Sequence, residues 1–341
     1  MEKILIIQTA FIGDAILTLP MIQKLKEFSP DSAIDVLAIP STAEIFSSSS
    51  SVDEVIVFDK KGKEKSLRAM IQLAKKLREK NYVRVYSPHR SFRTSFLVMN
   101  LGVKETYGFS NSSLKHVYKN LVEYIPHHHE VQRNLDLIGF SYNDEDWKIQ
   151  PEVNVSIISK QKVNDFFINL NSECEFVAVA PGSVWSTKRY PAEYYEQVIK
   201  YFVEKSFGVF LLGSENEKNL CEALAHKFEE NVFSTAGNFS LIESVELLKK
   251  VKLLICNDSA PTHLGMCAGI PVLTIYCSTV PAFGFYPYNK KSSCLSYDDL
   301  SCKPCGIHGK EQCPINTFDC GFKLAPHVVI TKVEGMLNDK S

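Results

Sequence analysis

The chain has 341 residues, of which 45% are hydrophobic and 23% are charged, and its formal net charge is −1. This length predicts two domains, each large enough for its own core, and the near-neutral charge argues against an extensive nucleic-acid-binding surface. The opening Met-Glu-Lys leads directly into an apolar run, which is too short and too acidic for a signal peptide. No apolar run approaches the roughly 18 residues of a membrane span. We therefore expect a cytoplasmic protein.

The amino-terminal half alternates apolar runs, typical of buried parallel strands, with stretches that have helical periodicity. Pro20 lies inside the first predicted helix, where a kink is expected. The serine run 47–51 is expected to be a solvated loop. The alternation predicts a doubly wound α/β domain. The predicted strands are 3–9, 33–39, 54–58 and 84–87, and the predicted helices are 15–28, 65–80 and 91–101.

Basic and imidazole side chains gather in the loops after the fourth predicted strand. Three of them, His127–His129, are adjacent, and such neighbours cannot all converge on one metal ion from a helix or a strand. The basic groups form either a solvated surface or a pocket for an anionic, phosphorylated ligand. The group comprises His89, Arg90, Arg93, His116, Lys119 and His127–His129.

The carboxyl-terminal half repeats the α/β pattern after a polar, weakly patterned stretch, 141–175, which is expected to be a linker. Its strands end in Gly or Ser, so that backbone can approach a ligand at the carboxyl edge, where open α/β sheets bind ligands. No G-x-G-x-x-G follows either first strand and no G-x-x-x-x-G-K-[ST] occurs, which disfavours a dinucleotide fold and a P-loop. The predicted strands are 176–180, 209–212, 232–233, 251–256 and 272–276, and the predicted helices are 192–205, 217–228 and 241–250.

The stretch Cys256–Gly269 combines the end of a strand, a polar turn and a helix of small residues. Ser259 can cap this helix, Pro261 fits its first turn and Gly269 can end it. A strand followed by a helix N-terminus favours anion binding, because unpaired N–H groups and the helix dipole both attract negative charge. The alternative is an ordinary βαβ turn with a capping serine.

Several short motifs occur in a specific order and spacing. Together they resemble the ADP-heptose:lipopolysaccharide heptosyltransferases, glycosyltransferase family 9, over nearly the whole chain. The cysteine-bearing segment 302–320 is similar to one in the heptosyltransferase II branch. The other motifs are Ile12–Ile16 with Pro20, His129–Val131, Ala180–Ser183, Thr187–Pro191, the strand before Gly213–Ser214, and Asn257–Leu264.

The resemblance implies the GT-B fold, with two Rossmann-like, doubly wound domains facing across a cleft. Residues 1–155 would bind the acceptor and residues 156–326 the ADP-sugar, and a helix at 327–341 would pack back on the first domain. The implied activity is an inverting transfer of heptose from ADP-heptose to the inner core of lipopolysaccharide, without a metal ion, a cofactor or nucleic acid. An amphiphilic acceptor further implies peripheral contact with the cytoplasmic face of the inner membrane.

Three alternatives to this activity stay open. The chain could use another nucleotide sugar or another glycan acceptor, or it could bind nucleotide sugars without turnover. Asp14 and Lys188 together argue against a simple binding module, because such a module has no use for a base in the opposite domain. An epimerase or phosphorylase would need acid, base or cofactor groups that the sequence does not offer.

Two residues are implied to be catalytic. Asp14 follows the first strand and would be the general base, a role that contributes about 10²–10⁴-fold to a rate; its alternative role is a helix cap. Lys188 would hold the diphosphate of the leaving group, and its alternative is an exposed lysine.

The remaining implied site residues belong to the donor and acceptor pockets. Asp258 is expected to hold sugar hydroxyls or to orient its loop, because its charge would repel a diphosphate, and His263 is either a site residue or a structural histidine. Where Ala260 stands the family more often has Gly, which puts the donor in doubt. The donor set is Gly182, Ser183, Lys188, Glu217, Phe239, Asp258, Ser259, Ala260 and His263, with Glu217 and Phe239 near adenosine, and the acceptor set is Gly13, Arg90, Arg93 and His129. The alternative roles are a partner of the helix dipole for Glu217 and a core residue for Phe239.

Four of the ten cysteines are clustered in sequence: Cys302, Cys305, Cys313 and Cys320. One C-x₂-C pair followed by two single cysteines permits a tetrahedral zinc site or an iron–sulfur cluster. The second pair lacks the C-x₂-C spacing, so reduced thiols are the preferred interpretation.

Overall fold

The computed structural model describes residues 2–60, 62, 64–170 and 174–338. The chain divides into two units between Asn154 and Val155. The predicted boundary, after residue 155, lies one residue away.

The first unit is built on a parallel sheet of six strands in the order β3-β2-β1-β4-β5-β6. Strand β1 lies at the centre, where Ile4 pairs with Ile34 on one side and with Arg84 on the other. Its residues Ile4–Ile7 are fully buried, as expected for an apolar strand covered on both faces. The strands are β1 (Lys3–Ile7), β2 (Ala33–Ala38), β3 (Glu54–Val57), β4 (Arg84–Ser87), β5 (Glu105–Phe109) and β6 (Asn120–Val122).

The helices of the first unit begin at recognisable caps. The Ser66 hydroxyl accepts a hydrogen bond from the N–H of Ala69, and Ser91 accepts one from Thr94. The first helix starts at Ile12, three residues before the predicted Ala15, because Asp14 accepts the N–H of Phe11 from within the first turn. It continues without a break through Pro20. The helices are α1 (Ile12–Phe28), α2 (Ala43–Ser47), α3 (Leu67–Arg78), α4 (Phe92–Met99) and α5 (Glu130–Leu137).

The second unit repeats the architecture with a parallel sheet in the order β12-β11-β10-β7-β8-β9. Its core joins apolar side chains of the sheet to one face each of two helices, with Val198 and Phe202 on one and Val329 and Val333 on the other. The strands are β7 (Phe176–Ala180), β8 (Gly208–Leu211), β9 (Val232–Ser234), β10 (Leu254–Asn257), β11 (Val272–Tyr276) and β12 (Ser293–Ser296). The helices are α6 (Ile157–Leu170), α7 (Ala192–Glu204), α8 (Lys218–Ala225), α9 (Leu241–Leu248), α10 (Ala260–Ala268), α11 (Asp319–Phe322) and α12 (Pro326–Asn338).

Two local predictions are wrong. The expected linker 141–175 contains helix α6, which packs against α9 and buries Val163. Its apolar residues do not follow one helical face, so the sequence lacked the periodicity that predicts a helix. The serine run is not wholly solvated either, because Ser47 ends α2 and Ser49 is buried.

The predicted carboxyl-terminal helix corresponds to α12, which packs against α7 of its own unit. Residues 339–341 lie outside the described residues, and the expected contact with the first domain stays a prediction. None of the helices in the described part of the chain has the length and hydrophobicity needed to cross a lipid bilayer.

Candidate functional site

The carboxyl end of strand β10 is tied to the loop after β7 by the side chain of Asn257. Its amide nitrogen donates to the carbonyl oxygens of Pro181 and Gly182, at 2.8 and 3.1 Å. Its amide oxygen accepts from the N–H of Tyr190 at 2.9 Å and from the hydroxyl of Tyr195 at 3.0 Å. Asn257 is fully buried, and these four bonds satisfy both of its donors and both lone pairs of its oxygen. Asn257 therefore fixes the two loops that carry most predicted donor residues.

Sequence reasoning did not single out Asn257, although the residue lies inside the stretch Cys256–Gly269. Its partners are 62 to 76 positions away in the chain. The available signal was its position at the carboxyl end of a central strand, where an amide can bridge neighbouring strand ends.

Helix α10 follows directly from this strand end. Ser259 is its N-cap by position, but its side chain makes no capping hydrogen bond in the described structure; the hydroxyl donates to the carbonyl of Asn257 at 3.3 Å. Pro261 lies in the first turn, and Gly269 ends the helix with a left-handed φ of 71°. The first N–H groups of a helix have no acceptor within it, so this end carries positive potential.

Lys188 and Asp258 form an ion pair beside the start of α10. The distance from the Lys188 Nζ to the Asp258 Oδ2 is 2.6 Å, and both side chains are nearly buried. The Thr279 hydroxyl donates to the same oxygen at 2.7 Å. Lys188 is therefore not the solvated surface lysine of the alternative interpretation, and Asp258 holds it in place.

His263 lies on α10 near this pair and is 4% exposed. Burial lowers the pKa of its imidazole to about 4, with the positive charge of Lys188 acting in the same direction and the negative charge of Asp258 opposing it. The ring is therefore neutral near pH 7. Among the described residues its Nδ1 has no hydrogen-bond partner. Because an unpartnered buried polar atom is costly, this nitrogen indicates a place for a ligand's polar group.

Gly182 leaves room for a carboxylate. A Cβ atom at this position would lie 1.9 Å from the Glu217 Oε1. The other oxygen of Glu217 accepts from the N–H and the hydroxyl of Ser214, at 2.8 and 2.9 Å. Ser183 is buried next to Gly182, and its carbonyl accepts from the Nε of Arg189. The structure thus brings Gly182, Ser183 and Glu217 together at the ends of β7 and β8.

Phe239 lies between strand β9 and helix α9 of the second unit. Its ring meets that of Phe166 edge to face at 5.2 Å, and the Lys162 ammonium lies 5.3 Å from its centre. It lines a cavity of about 740 Å³ whose other walls come mainly from α6, including Ile157, Ile158 and Phe166. The expected contact with adenine stays a prediction.

The cysteine segment packs beside Lys188. The N–H of Lys310 donates to the Thr187 hydroxyl at 2.8 Å, and that hydroxyl donates to the Lys310 carbonyl. A Cβ atom on Gly309 would lie 2.9 Å from the Lys188 Cγ, and the φ of +79° also favours glycine there.

The four cysteines of this segment line a cavity of about 270 Å³. No disulfide bond joins the described cysteines. In the described ranges no group of three or more His, Cys, Asp or Glu side chains is arranged to hold a metal ion.

In the first unit, Asp14 lies in the first turn of α1, directly after the central strand β1, and Gly13 precedes it. Basic groups surround the neighbouring strand ends. The Lys60 ammonium donates to the Thr9 carbonyl, and the Arg93 Nη1 donates to the Lys60 carbonyl at 3.1 Å. The Arg90 guanidinium stacks on the Tyr124 ring, 4.1 Å from its centre. This edge can therefore present positive charge and a carboxylate to one ligand.

Two histidines of this unit, His89 and His129, make hydrogen bonds within the protein. The His89 Nδ1 is hydrogen-bonded to the hydroxyls of Thr9 and Thr94, both at 2.8 Å, and burial together with nearby Lys60 and Arg90 lowers its pKa to about 4. His129 is 1% exposed, accepts the N–H of Val131 as the cap of α5, and packs against Trp147. The expected contact of His129 with an acceptor stays a prediction.

The sequence and the fold of this chain resemble those of known proteins. The model of glycosyltransferase family 9 (heptosyltransferase) matches residues 70–315, well over half of the chain. The chain belongs to glycosyltransferase family 9. It is therefore an enzyme, a glycosyltransferase of the heptosyltransferase family, as the motifs predicted.

Relatives and solved structures of similar length agree with this membership. The lipopolysaccharide heptosyltransferase 2 of Escherichia coli K12 is 24% identical over 295 residues, covering 82% of this chain and 84% of its own. A family 9 glycosyltransferase from Veillonella parvula has a TM-score of 0.87 at 21% identity, covering 98% and 97% of the two chains. The Escherichia coli ADP-heptose lipopolysaccharide heptosyltransferase II has a TM-score of 0.79 at 20% identity, covering 98% of each. The predicted fold class, GT-B with two Rossmann-like units, is confirmed for this family 9 enzyme.

Proposed function

We propose that this family 9 enzyme transfers heptose from ADP-heptose to the inner core of lipopolysaccharide with inversion at the sugar. The observation that carries the proposal is the arrangement at the start of α10, where Lys188, Asp258 and the buried His263 surround a helix N-terminus. A nucleoside diphosphate is the kind of ligand that this arrangement suits, because a lysine and backbone N–H groups both stabilise phosphate charge.

The donor would lie with its diphosphate near Lys188 and the first turn of α10. Lys188 would stabilise the charge that develops on the leaving ADP, so no metal ion or other cofactor would be needed for that step. Lys188 and Thr279 both contact the Oδ2 of Asp258, so its Oδ1 would accept from a sugar hydroxyl. The Nδ1 of His263, which has no partner in the described ranges, would contact the sugar or a phosphate oxygen. Ser183, Ser259 and Ala260 would line the pocket, and Gly182 with Glu217 would lie towards the ribose.

The acceptor would lie in the first unit. Asp14 would remove the proton of the attacking hydroxyl as the sugar is transferred. Arg90 and Arg93, on the basic edge, would bind the phosphate groups of the acceptor through paired hydrogen bonds from each guanidinium. An acceptor of this kind is an amphiphile, so the enzyme would work in the cytoplasm in peripheral contact with the inner membrane.

One observation favours a second donor. Ala260 stands at the first position of α10 and adds a methyl group where a pocket for the donor would begin. A narrower pocket would favour a different nucleotide sugar with the same diphosphate, while the fold and the roles of Lys188 and Asp14 would be retained.

The test is release of ADP by the purified chain from ADP-heptose in the presence of a heptose-deficient lipopolysaccharide, beside the Asp14→Ala variant. We expect turnover in the wild type and a loss of about 10²–10⁴-fold in Asp14→Ala, with binding of ADP-heptose retained. Asp31→Ala is the matched control, because Asp31 is an exposed aspartate beyond the other end of α1. Binding of a different nucleotide sugar but not of ADP-heptose would overturn the donor assignment.

A further inference from the structure

We propose that Glu130 is a positioning residue for Asp14: its carboxylate, held by Arg133 at the start of α5, lies beside the first turn of α1 and makes Asp14 a stronger base. The proposal rests on the proposed function, in which Asp14 accepts the proton of the acceptor hydroxyl.

Glu130 and Arg133 form a buried ion pair. Their side chains are only 5% and 1% exposed, and the Arg133 Nη1 lies 2.7 Å from the Glu130 Oε2. Arg133 also donates from Nε to the carbonyl of Ile125 at 3.1 Å and from Nη2 to that of Pro126 at 2.8 Å. These bonds leave the guanidinium a single orientation, so the position of the Glu130 carboxylate is fixed as well.

Helices α1 and α5 pack against each other and run in the same direction, because Phe28 at the end of α1 meets Phe140 just after α5, with 5.7 Å between the ring centres. The buried Asn134 side chain donates to the carbonyl of Leu17 at 3.0 Å. Asn134 lies one helical turn after Glu130, and Leu17 lies about one turn after Asp14. The bond between the second turns therefore brings Glu130 and Asp14 to the same level of the helix pair.

The two carboxylates act on each other electrostatically. Burial, followed by the negative charge of Asp14, raises the pKa of Glu130 to about 6, against the opposing effects of Arg133 and of Arg90 from the loop after β4. An interaction between two charges acts equally on both partners, so an ionised Glu130 increases the proton affinity of Asp14. A base with higher proton affinity removes a hydroxyl proton more effectively.

Stability alone is a weak reason for such a pair. Removing two charges from water is costly, and their attraction offsets this cost only with good geometry, so well-packed apolar residues often replace a buried pair without loss of stability. What apolar residues would not supply is a negative charge at a fixed position beside Asp14.

The test compares Glu130→Gln with the wild type in two measurements. The first follows the titration of the Asp14 carboxyl carbon by NMR with ¹³C-labelled aspartate, assigned with Asp14→Asn. The second is the pH profile of kcat/KM for ADP release. In the wild type we expect the Asp14 signal to show a second inflection near pH 6, where Glu130 ionises, and we expect Glu130→Gln to abolish this inflection. We also expect it to move the acidic limb of the profile to lower pH while reducing the plateau about three- to tenfold.

Two variants serve as controls. Glu130→Asp keeps the charge and should retain the wild-type titration of Asp14. Asp136→Asn removes a carboxylate from the last turn of the same helix, where it accepts from Tyr142 at 2.8 Å, and should leave both measurements unchanged. If Glu130→Gln does not fold, the double variant Glu130→Gln/Arg133→Met removes the pair without leaving a buried charge unpaired.

The outcomes separate this inference from the proposed function. Normal turnover of the wild type with an Asp14 titration curve that Glu130→Gln leaves unchanged near pH 6 would overturn the inference alone. A reduced plateau with an unmoved acidic limb would show a purely structural role and would overturn it too. Absence of turnover in the wild type would overturn the proposed function, and the base role of Asp14 with it, whatever the NMR titration shows.

Discussion

The two units share one strand order but carry different side chains at the carboxyl ends of their central strands. In the first unit the edge is basic, with Lys60, Arg90 and Arg93 around the strand ends. In the second unit the edge is built from small residues, and its lysine, Lys188, is paired with Asp258. The fold fixes where a ligand can approach, and these side chains decide which charge the edge presents.

A histidine at each edge, half-buried in the first unit and buried in the second, adds to this difference. Burial lowers the pKa of both His89 and His263 to about 4. The Nδ1 of His89 is satisfied by the hydroxyls of Thr9 and Thr94, whereas that of His263 has no partner among the described residues. His89 thus has a structural role, whereas the Nδ1 of His263 indicates a place for a polar group of a ligand.

The largest expected effect concerns Asn257, the buried asparagine that joins two loops at the carboxyl edge of the second unit. Asn257→Ala should destabilise the second unit by about 3 kcal/mol, because two carbonyls, one N–H and one hydroxyl lose their partner. Hydrogen exchange measured by mass spectrometry would follow the amide of Tyr190. Asn134→Ala in the first unit is the matched control, with an expected cost of about 1 kcal/mol for its bond to Leu17. Equal exchange at Tyr190 in Asn257→Ala and the wild type would contradict the bridging role.

The alternation of strands and helices was readable from the sequence because buried parallel strands are continuous apolar runs. Strands β4, β7 and β11 have the predicted limits. Strands β5, β6 and β12 were not predicted, since β5 and β12 contain few aliphatic residues, β6 has only three residues, and all three strands are incompletely buried. Their extended conformation is set by pairing with a neighbouring strand, which the local sequence does not encode.

The next prediction separates the ligands of the two edges. Lys188→Met should weaken binding of ADP about 30- to 100-fold, because it removes the charge that would face the diphosphate and leaves Asp258 buried without its cation. Arg90→Met should leave ADP binding unchanged and raise the KM for the acceptor about tenfold. Isothermal titration with ADP and steady-state kinetics would measure the two effects. Weakened ADP binding in Arg90→Met would break the assignment of one ligand to each edge.

A smaller effect follows from the two histidines. A histidine with a folded-state pKa near 4 binds fewer protons than it does in the unfolded chain, where the pKa is near 6.5. Each histidine therefore stabilises the folded chain fully above about pH 6.5, and this stabilisation is lost as the pH falls towards 4. Between pH 7 and pH 5 the free energy of unfolding falls by about 2 kcal/mol per histidine.

Replacing either histidine by glutamine should make the stability less dependent on pH in this window. Urea denaturation at pH 5 and pH 7 would measure the change, with the exposed His327→Gln as the control. We expect ADP to reduce the pH dependence only through His263, since His89 already has its partners. An equal effect of ADP in the His263→Gln variant would argue against a ligand contact at this nitrogen.

The candidate sites were only partly readable from the sequence. The position of Asp14, Lys188, Asp258 and His263 at strand ends followed from the alternating pattern and the motifs. The pairing of Lys188 with Asp258 did not, because it joins residues 70 positions apart through the fold. The spacing of Glu130 and Arg133 is visible in the sequence, but their burial depends on the packing of α5 against α1.

The smallest effects are expected at the opposite edge of each sheet. Glu105 begins β5 and pairs with Lys119 at 2.7 Å, and Glu175 precedes β7 and pairs with Lys252 at 2.7 Å. All four side chains are exposed, so water screens the pairs and they contribute little to stability. Glu105→Gln and Glu175→Gln should therefore leave the urea midpoint, the ADP affinity and the acceptor KM unchanged. If either variant altered ligand binding, the functional difference between the units would extend beyond the carboxyl ends of their strands.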